Sequence, residues 1–343
     1  MKEVTPIGSR KSDHIHINLE KDVRSHLSTG LERYHFIHHA LPEINLQDVD
    51  PSIDIFGKAL SSPLLISSMT GGTQEAATIN QALAEAAQET KVAFGVGSQR
   101  IALEQPELAS TFQVRRFAPD ILLLANLGAI QLNYGYGLEE CQRAVDMIGA
   151  DALILHLNVL QESLQPEGQT RFSGLINKIE AICNVLQVPV IAKEVGWGFC
   201  IQDISLLASV GISAIDVAGS GGTSWSQVEM YRAKDDSHRN LAAAFSDWGI
   251  PTATAIQNVK DVAPDLPIIA SGGLRNGVDI AKCIALGASI GGMAGPFLKT
   301  ASQSVEETIK LITLIKDEIT ICMFATASKT LAQLHQDKLV ENE

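Results

Sequence analysis

Eight short apolar runs, most of them rich in β-branched residues, recur along this chain with helix-period segments between them. The runs are residues 64–66, 92–96, 121–125, 153–157, 190–192, 214–217, 268–270 and 288–292. Residues 80–90, 107–117, 138–148, 175–186, 201–209, 241–258 and 278–286 carry the helical pattern between them, and 305–315 closes the series. A strand that returns through a helix to a parallel strand builds a parallel sheet, and eight such units close it into a barrel. The strands read as near-continuous apolar runs, as expected of a sheet covered on both faces. The expected fold is therefore α/β, a (β/α)8 TIM barrel spanning 61–320. Residues 1–60 form an N-terminal extension with a helix over 13–25 and an apolar patch over 34–40, and 321–343 form a C-terminal tail.

Composition narrows the setting. A chain of 343 residues suits one large barrel, and a hydrophobic content of 45% can fill its core. Polar residues interrupt every apolar run well short of a membrane span. The first residues contain no apolar h-region, which argues against a signal peptide. The five cysteines, Cys141, Cys183, Cys200, Cys283 and Cys322, show no CxxC spacing and read as reduced thiols of a cytoplasmic protein. A net charge of −13 argues against nucleic acid or an anionic membrane as partner, so an anionic ligand would depend on local cations.

In such barrels chemistry sits where strands run into the following loops. The first strand leads into Ser67-Ser68-Met69-Thr70, the second into Ser98-Gln99-Arg100, and the third into Asn126. The fourth leads into His156, Asn158, Gln161 and Glu162, the fifth into Lys193, and the sixth into Gly219 to Thr223. The seventh and eighth end in Gly272-Gly273 and Ala294-Gly295, where glycine lets backbone N–H groups close on phosphate oxygens. One lysine among amides and hydroxyls, with two glycine turns, suits a flat cofactor with a phosphate tail, and FMN fits. Glu162 reads either as a Mg²⁺ ligand or as a solvated carboxylate at a helix start. Arg10-Lys11 reads as a solvated pair or an anion clamp. The long segment 219–239 after the sixth strand reads as a functional loop.

Taken in order, Arg10-Lys11-x-x-His14, Met69-Thr70-Gly71-Gly72, Ser98-Gln99-Arg100, His156-x-Asn158 with Gln161-Glu162, Gly219-x-Gly221-Gly222-Thr223-x-Trp225 and Ser271-Gly272-Gly273-Leu274-Arg275 resemble the flavin-dependent, type II isopentenyl-diphosphate isomerases. The resemblance runs from Ile7 to about Leu298. It implies an FMN- and Mg²⁺-dependent barrel that interconverts isopentenyl and dimethylallyl diphosphate on reduced FMN, with NADPH as the reductant. It also implies a homo-oligomer, tetramer or larger. Carried over, Arg10, Lys11, Ser98, Gln99, Arg100, His156, Asn158 and Gln161 would hold the substrate, and Glu162 the metal. Ser67, Ser68, Met69, Thr70, Ser98, Asn126, Lys193, Ser220, Thr223, Gly272, Gly273, Arg275, Ala294 and Gly295 would hold FMN.

Moving an allylic double bond adds one proton at carbon and removes another, and a terminal alkene carbon is a weak base. No carboxylate dyad stands out. The resemblance gives the reduced flavin this task, and Gln161, Glu229 and His156 are the residues expected nearest the proton transfers. Trp225 reads as an apolar wall or a packing aromatic, and Glu229 as a proton relay or a solvated loop acid. A 2-hydroxy-acid oxidase would need a His base and an Arg clamp near strands six and seven, which Gly219 to Trp225 does not offer. A nucleotide dehydrogenase would need a cysteine after strand six, and none lies there. A non-catalytic flavin-binding protein would have no use for Arg10, Lys11, Gln161 and Glu162.

Overall fold

The structure, a computed structural model, describes residues 6–342, with side chains from Lys11 onward apart from Ser12. Eight parallel strands close into a barrel: β1 (Leu64–Ile66), β2 (Ala93–Gly95), β3 (Leu123–Gly128), β4 (Ala152–His156), β5 (Val190–Lys193), β6 (Ala214–Asp216), β7 (Ile268–Ser271) and β8 (Ile290–Met293). All eight runs expected from sequence are strands, and β8 pairs with β1 to close the ring.

Side chains alternate across a strand, so every second residue enters the barrel. Leu65, Ala93, Leu124, Ile154, Ile191, Ala214, Ile269 and Ile290 belong to one buried inner cluster. Two residues further along each strand, the next inward layer is Ser67, Gly95, Asn126, His156, Lys193, Asp216, Ser271 and Gly292. One step along the strands thus converts an aliphatic core into a ring made only of polar residues and glycines. The opposite mouth is plugged by a hairpin, Ile53–Ile55 with Lys58–Leu60, whose Ile55 and Leu60 join the inner cluster.

Several helical boundaries differ from expectation, and the helix expected over 80–90 already begins at Gln74. The 107–117 segment is a 3₁₀ stretch, Pro106–Thr111, behind a short helix, Arg100–Glu104. Pro106 cannot continue the preceding helix, because its ring blocks the backbone bond. The 241–258 segment is split into Asp236–Ala243 and Thr252–Val262, with Gly249 at φ +125° and Pro251 between them. The N-terminal helix is Pro6–Glu20, and the chain after it is extended. There Ser25 N–H donates to Gly222 O, and Ser224 N–H to Val23 O, both at 2.8 Å. The last helix runs Val305–Ala325, across the boundary placed at 320. Beyond it, Leu339–Glu341 pairs antiparallel with Tyr34–Phe36, which ties the C-terminal segment to the N-terminal extension.

Candidate active site

The polar ring forms the floor of a cavity of about 450 Å³ at the C-terminal mouth of the barrel. Its walls are the βα loops, and its roof is the N-terminal helix. Lys11, His14, Ile15 and Asn18 line the cavity. Their spacing of three, four and seven puts them on one helical face. Lys11 Nζ donates to Ser98 O at 2.7 Å, and His14 packs edge-on against Trp225 at 4.9 Å between ring centroids.

At one end of the cavity stand Lys11, Ser98, Arg100, Gln131, His156, Asn158, Gln161, Glu162 and Gln165. Asn126 Oδ1 lies 2.8 Å from His156 Nδ1; an amide oxygen only accepts, so Nδ1 carries a proton and donates. Asn158 Nδ2 reaches Gln161 Oε1 at 3.1 Å and Glu162 Oε1 at 3.0 Å. Glu162 Oε2 accepts the Gln169 backbone N–H at 2.6 Å. Gln169 Oε1 in turn accepts from Arg100 at 3.2 Å and Gln131 at 2.8 Å. Gln131 and Gln169 were not singled out in the sequence, because neither sits in a strand-end motif. Among the described residues that line the cavity, Glu162 is the single carboxylate.

At the other end, Gly272, Gly273, Arg275, Ala294 and Gly295 line the wall, with Ser67, Ser68, Met69 and Thr70 beside them. The glycines divide by cause. Gly272 has φ +103°, and a Cβ there would stand 2.1 Å from Gly219 O, so two loop backbones press together at that point. A Cβ at Gly295 would meet nothing within 4 Å. The hydroxyls of Ser67 and Ser68 are buried and have no hydrogen-bond partner among the described residues. Buried hydroxyls normally find partners, so these two fit a ligand whose edge carries donors and acceptors. That feature, open backbone at Gly295 and the floor cation Lys193 together accommodate FMN.

Four expected site residues are placed elsewhere or not placed. Gln99 faces the interior: its Oε1 accepts Asn126 N–H at 2.9 Å and its Nε2 donates to Ala144 O at 2.8 Å, so its side chain braces the β2 loop and does not line the cavity. Ser220 is sealed where its segment pairs with Pro251, behind the wall. Glu229 stands one layer behind the cavity, within 2.6 Å of Gln165 Nε2, 2.5 Å of Arg232 Nη1 and 3.4 Å of both Gln161 Nε2 and His14 Nε2. Burial pushes its carboxyl upward, but His14, Arg232 and Gln165 outweigh that and hold it at about 2, so it is a carboxylate at neutral pH and a poor proton donor. The Arg10 side chain lies outside the described residues.

Among the described residues no three or more His, Cys, Asp or Glu side chains converge as a metal cage. Mg²⁺ is commonly held by one or two carboxylates plus water and substrate phosphate, so Glu162 alone fits that ion. His16 pairs with Glu75 at 3.7 Å on the surface. No helix among the described residues is long and apolar enough to cross a membrane.

Residues 156–341 match the family model described as FMN-dependent dehydrogenase. Solved structures of a mandelate oxidase with an FMN adduct (TM-score 0.66, 19% identity, 97% of this chain and 92% of that chain) and of flavocytochrome b2 with benzoylformate (0.66, 18%, 91% and 77%) share the fold. Fold and site thus define a barrel of the FMN-dependent class. Over 327 residues the chain is 55% identical to an isopentenyl-diphosphate delta-isomerase of Nostoc sp., covering 95% of this chain and 93% of that protein. It is 52% identical to the Rickettsia africae isopentenyl-diphosphate delta-isomerase over 95% of each. The chain belongs to the isopentenyl-diphosphate delta-isomerase family, in its FMN-dependent, type II form, and is an enzyme of that family.

Proposed function

We propose that this enzyme interconverts isopentenyl and dimethylallyl diphosphate on reduced FMN, with Mg²⁺ on the diphosphate and NADPH as reductant. The observation that carries the reading is the cavity's composition. It joins an end rich in cations and amides to an end of open backbone, yet among the described residues it offers one carboxylate, Glu162, with both oxygens already accepting hydrogen bonds. Protonating an alkene carbon and removing an allylic proton requires an acid–base group close to the carbons. Reduced FMN, when bound, supplies that group and an electron-rich ring beside the developing positive charge.

The protein's own residues hold and shield. Lys11, Arg100, His156 and Asn158 bind the substrate diphosphate, joined by Ser98 and the Arg10 carried over from the family motif. Glu162 takes Mg²⁺, keeping one lone pair on each oxygen beyond its present bonds. Gln161 has its amide fixed between Asn158 and Glu229, and it orients the substrate's reactive end. Ser67, Ser68, Thr70, Asn126 and Thr223 supply hydrogen bonds to the flavin, Met69 packs on it, and Lys193 supplies a cation to its ring. Gly272, Gly273, Arg275, Ala294 and Gly295 receive its phosphate. Trp225 and Ile15 keep water from the hydrocarbon tail.

The test is isotopic. The protein is reduced anaerobically with FMN, NADPH and Mg²⁺ in deuterated water, and isopentenyl diphosphate is added. Deuterated dimethylallyl diphosphate is expected. Failure to form it, with turnover of a 2-hydroxy acid instead, overturns the reading.

A further inference from the structure

Asp216 and Ser271 are the side chains of the polar ring to which the reaction assigns no role. The Asp216 side chain is fully buried at the end of β6, in the register position opposite Lys193 of β5. Lys193 Nζ lies 2.7 Å from Asp216 Oδ2 and 3.2 Å from Ser271 Oγ. Ser271 Oγ donates to Asp216 Oδ1 at 2.5 Å. Both oxygens of Asp216 are therefore committed, one to a cation and one to a hydroxyl, and all three groups rise from adjacent strands. Lys193 and Ser271 line the cavity, while Asp216 lies beneath them. A buried carboxylate has a high desolvation cost and persists when paired in good geometry.

The pair has a consequence for any redox group above it. Alone, Lys193 would present a full positive charge to the cavity. With Asp216 at 2.7 Å, the two charges nearly cancel beyond a few ångströms. We infer that Asp216 is a positioning residue that fixes the Lys193 ammonium in the cavity floor and offsets its charge, and so sets the reduction potential of bound FMN. This rests on the FMN reading above. Hydride transfer from a nicotinamide brings two electrons and one proton to the ring, so the flavin gains one negative charge unless a second proton follows from water. An uncompensated Lys193 would favour that product, and a compensated one favours it less.

The test is the midpoint potential of FMN bound to the full chain, measured with a reference dye at pH 7. Asp216→Asn keeps the shape and removes the negative charge. It is expected to hold reduced FMN about tenfold more tightly relative to oxidised FMN, a rise of about 30 mV for a two-electron couple. Ser271→Ala keeps both charges and should leave the potential near that of the wild type. An unchanged or lowered potential in a folded, FMN-loaded Asp216→Asn protein overturns the inference, as does an equal rise in Ser271→Ala. Should Asp216→Asn fail to fold, Lys193→Met is compared with the Lys193→Met, Asp216→Asn double variant, since removing both partners of a buried pair is often tolerated. The single change should lower the potential and the double change should restore it toward wild type; no restoration overturns the inference. A wild-type protein that neither quenches FMN fluorescence nor retains flavin sinks the FMN reading itself, a distinct outcome.

Discussion

His14 Nε2 lies 3.4 Å from Glu229 Oε1, so the roof helix is tied to the helix Trp225–Arg232, which occupies part of the 219–239 segment expected as a loop. The same carboxylate holds Gln161 and Gln165, and the fit of the roof is thereby linked to the orientation of amides in the site. A contact this long is weaker than a short charge-assisted hydrogen bond and contributes on the order of 1 kcal/mol. His14→Ala should therefore raise KM for isopentenyl diphosphate several-fold, a loss of about 1 kcal/mol. FMN affinity should hold, and tryptic cleavage within 11–24 should quicken. Steady-state kinetics and limited proteolysis check both; an unchanged KM with faster cleavage would separate the roof from substrate binding.

Two glycines at the flavin end should answer alanine in opposite ways. At Gly272 the added Cβ would meet Gly219 O at 2.1 Å from a backbone at φ +103°, so a whole loop must move. Strain and overpacking of that kind cost roughly 1–3 kcal/mol each, and Gly272→Ala should lower the Tm of the apoprotein clearly. At Gly295 the Cβ enters open space. Gly295→Ala should leave the apoprotein Tm within a degree or two, on the scale of a neutral surface change. It should weaken FMN, because the methyl group stands where the phosphate is proposed. Calorimetry and fluorescence quenching by apoprotein distinguish the two; equal FMN affinity in Gly295→Ala and wild type would remove the phosphate from that loop.

The barrel was legible because its strands are continuous apolar runs, and tertiary context did not override them. The helix ends were less so: Pro106 and the Gly249–Pro251 corner break patterns whose apolar spacing looks continuous. In the site, strand-end reading found Lys193, His156 and Asn158, since each is a polar residue at the end of an apolar run. It passed over Asp216, which lies inside the sixth run, although alternation from Ala214 places it on the inward face. It grouped Gln99 with the cavity side chains because a motif fixes neighbours in sequence and not the direction of a side chain: Ser98 and Arg100 line the cavity while the Gln99 side chain turns to Ala144. Gln131 and Gln169 were invisible because their link to Arg100 and Glu162 exists only once loops distant in sequence meet.

Glu162 should set the metal requirement without setting the flavin. Glu162→Gln removes the charge and keeps an acceptor for only one of the two donors, Asn158 Nδ2 and Gln169 N–H, that the carboxylate now satisfies with separate oxygens. A carboxylate supplies much of a protein's hold on Mg²⁺, the remaining ligands being water and phosphate. The Mg²⁺ concentration giving half-maximal activity should rise at least about tenfold, which corresponds to about 1.4 kcal/mol. FMN absorbance and affinity should not change. Titrating activity with Mg²⁺ in both proteins decides it, and superimposable curves would move the ion away from Glu162.

Glu194, next to Lys193, gives a stability prediction with a definite sign. Its side chain turns into the protein, where one oxygen accepts the backbone N–H groups of Val195, Gly196 and Trp197 at 2.6–2.8 Å. Burial outweighs those donors and raises the carboxyl from 4.5 to about 7. The folded state therefore binds this proton more tightly than the unfolded chain does. Its contribution to stability is whole below about pH 4.5 and is lost as pH rises through about 7. At 1.36 kcal/mol per unit, the loss approaches about 3 kcal/mol. Glu194→Gln cannot ionise, so it should escape this loss while other titrating groups stay common to both proteins. The difference in unfolding free energy, wild type minus variant, should fall by most of that amount between pH 5 and pH 8. Urea unfolding at half-unit pH steps measures it. A difference that stays flat, or grows with pH, would mean that the three N–H donors keep Glu194 ionised throughout.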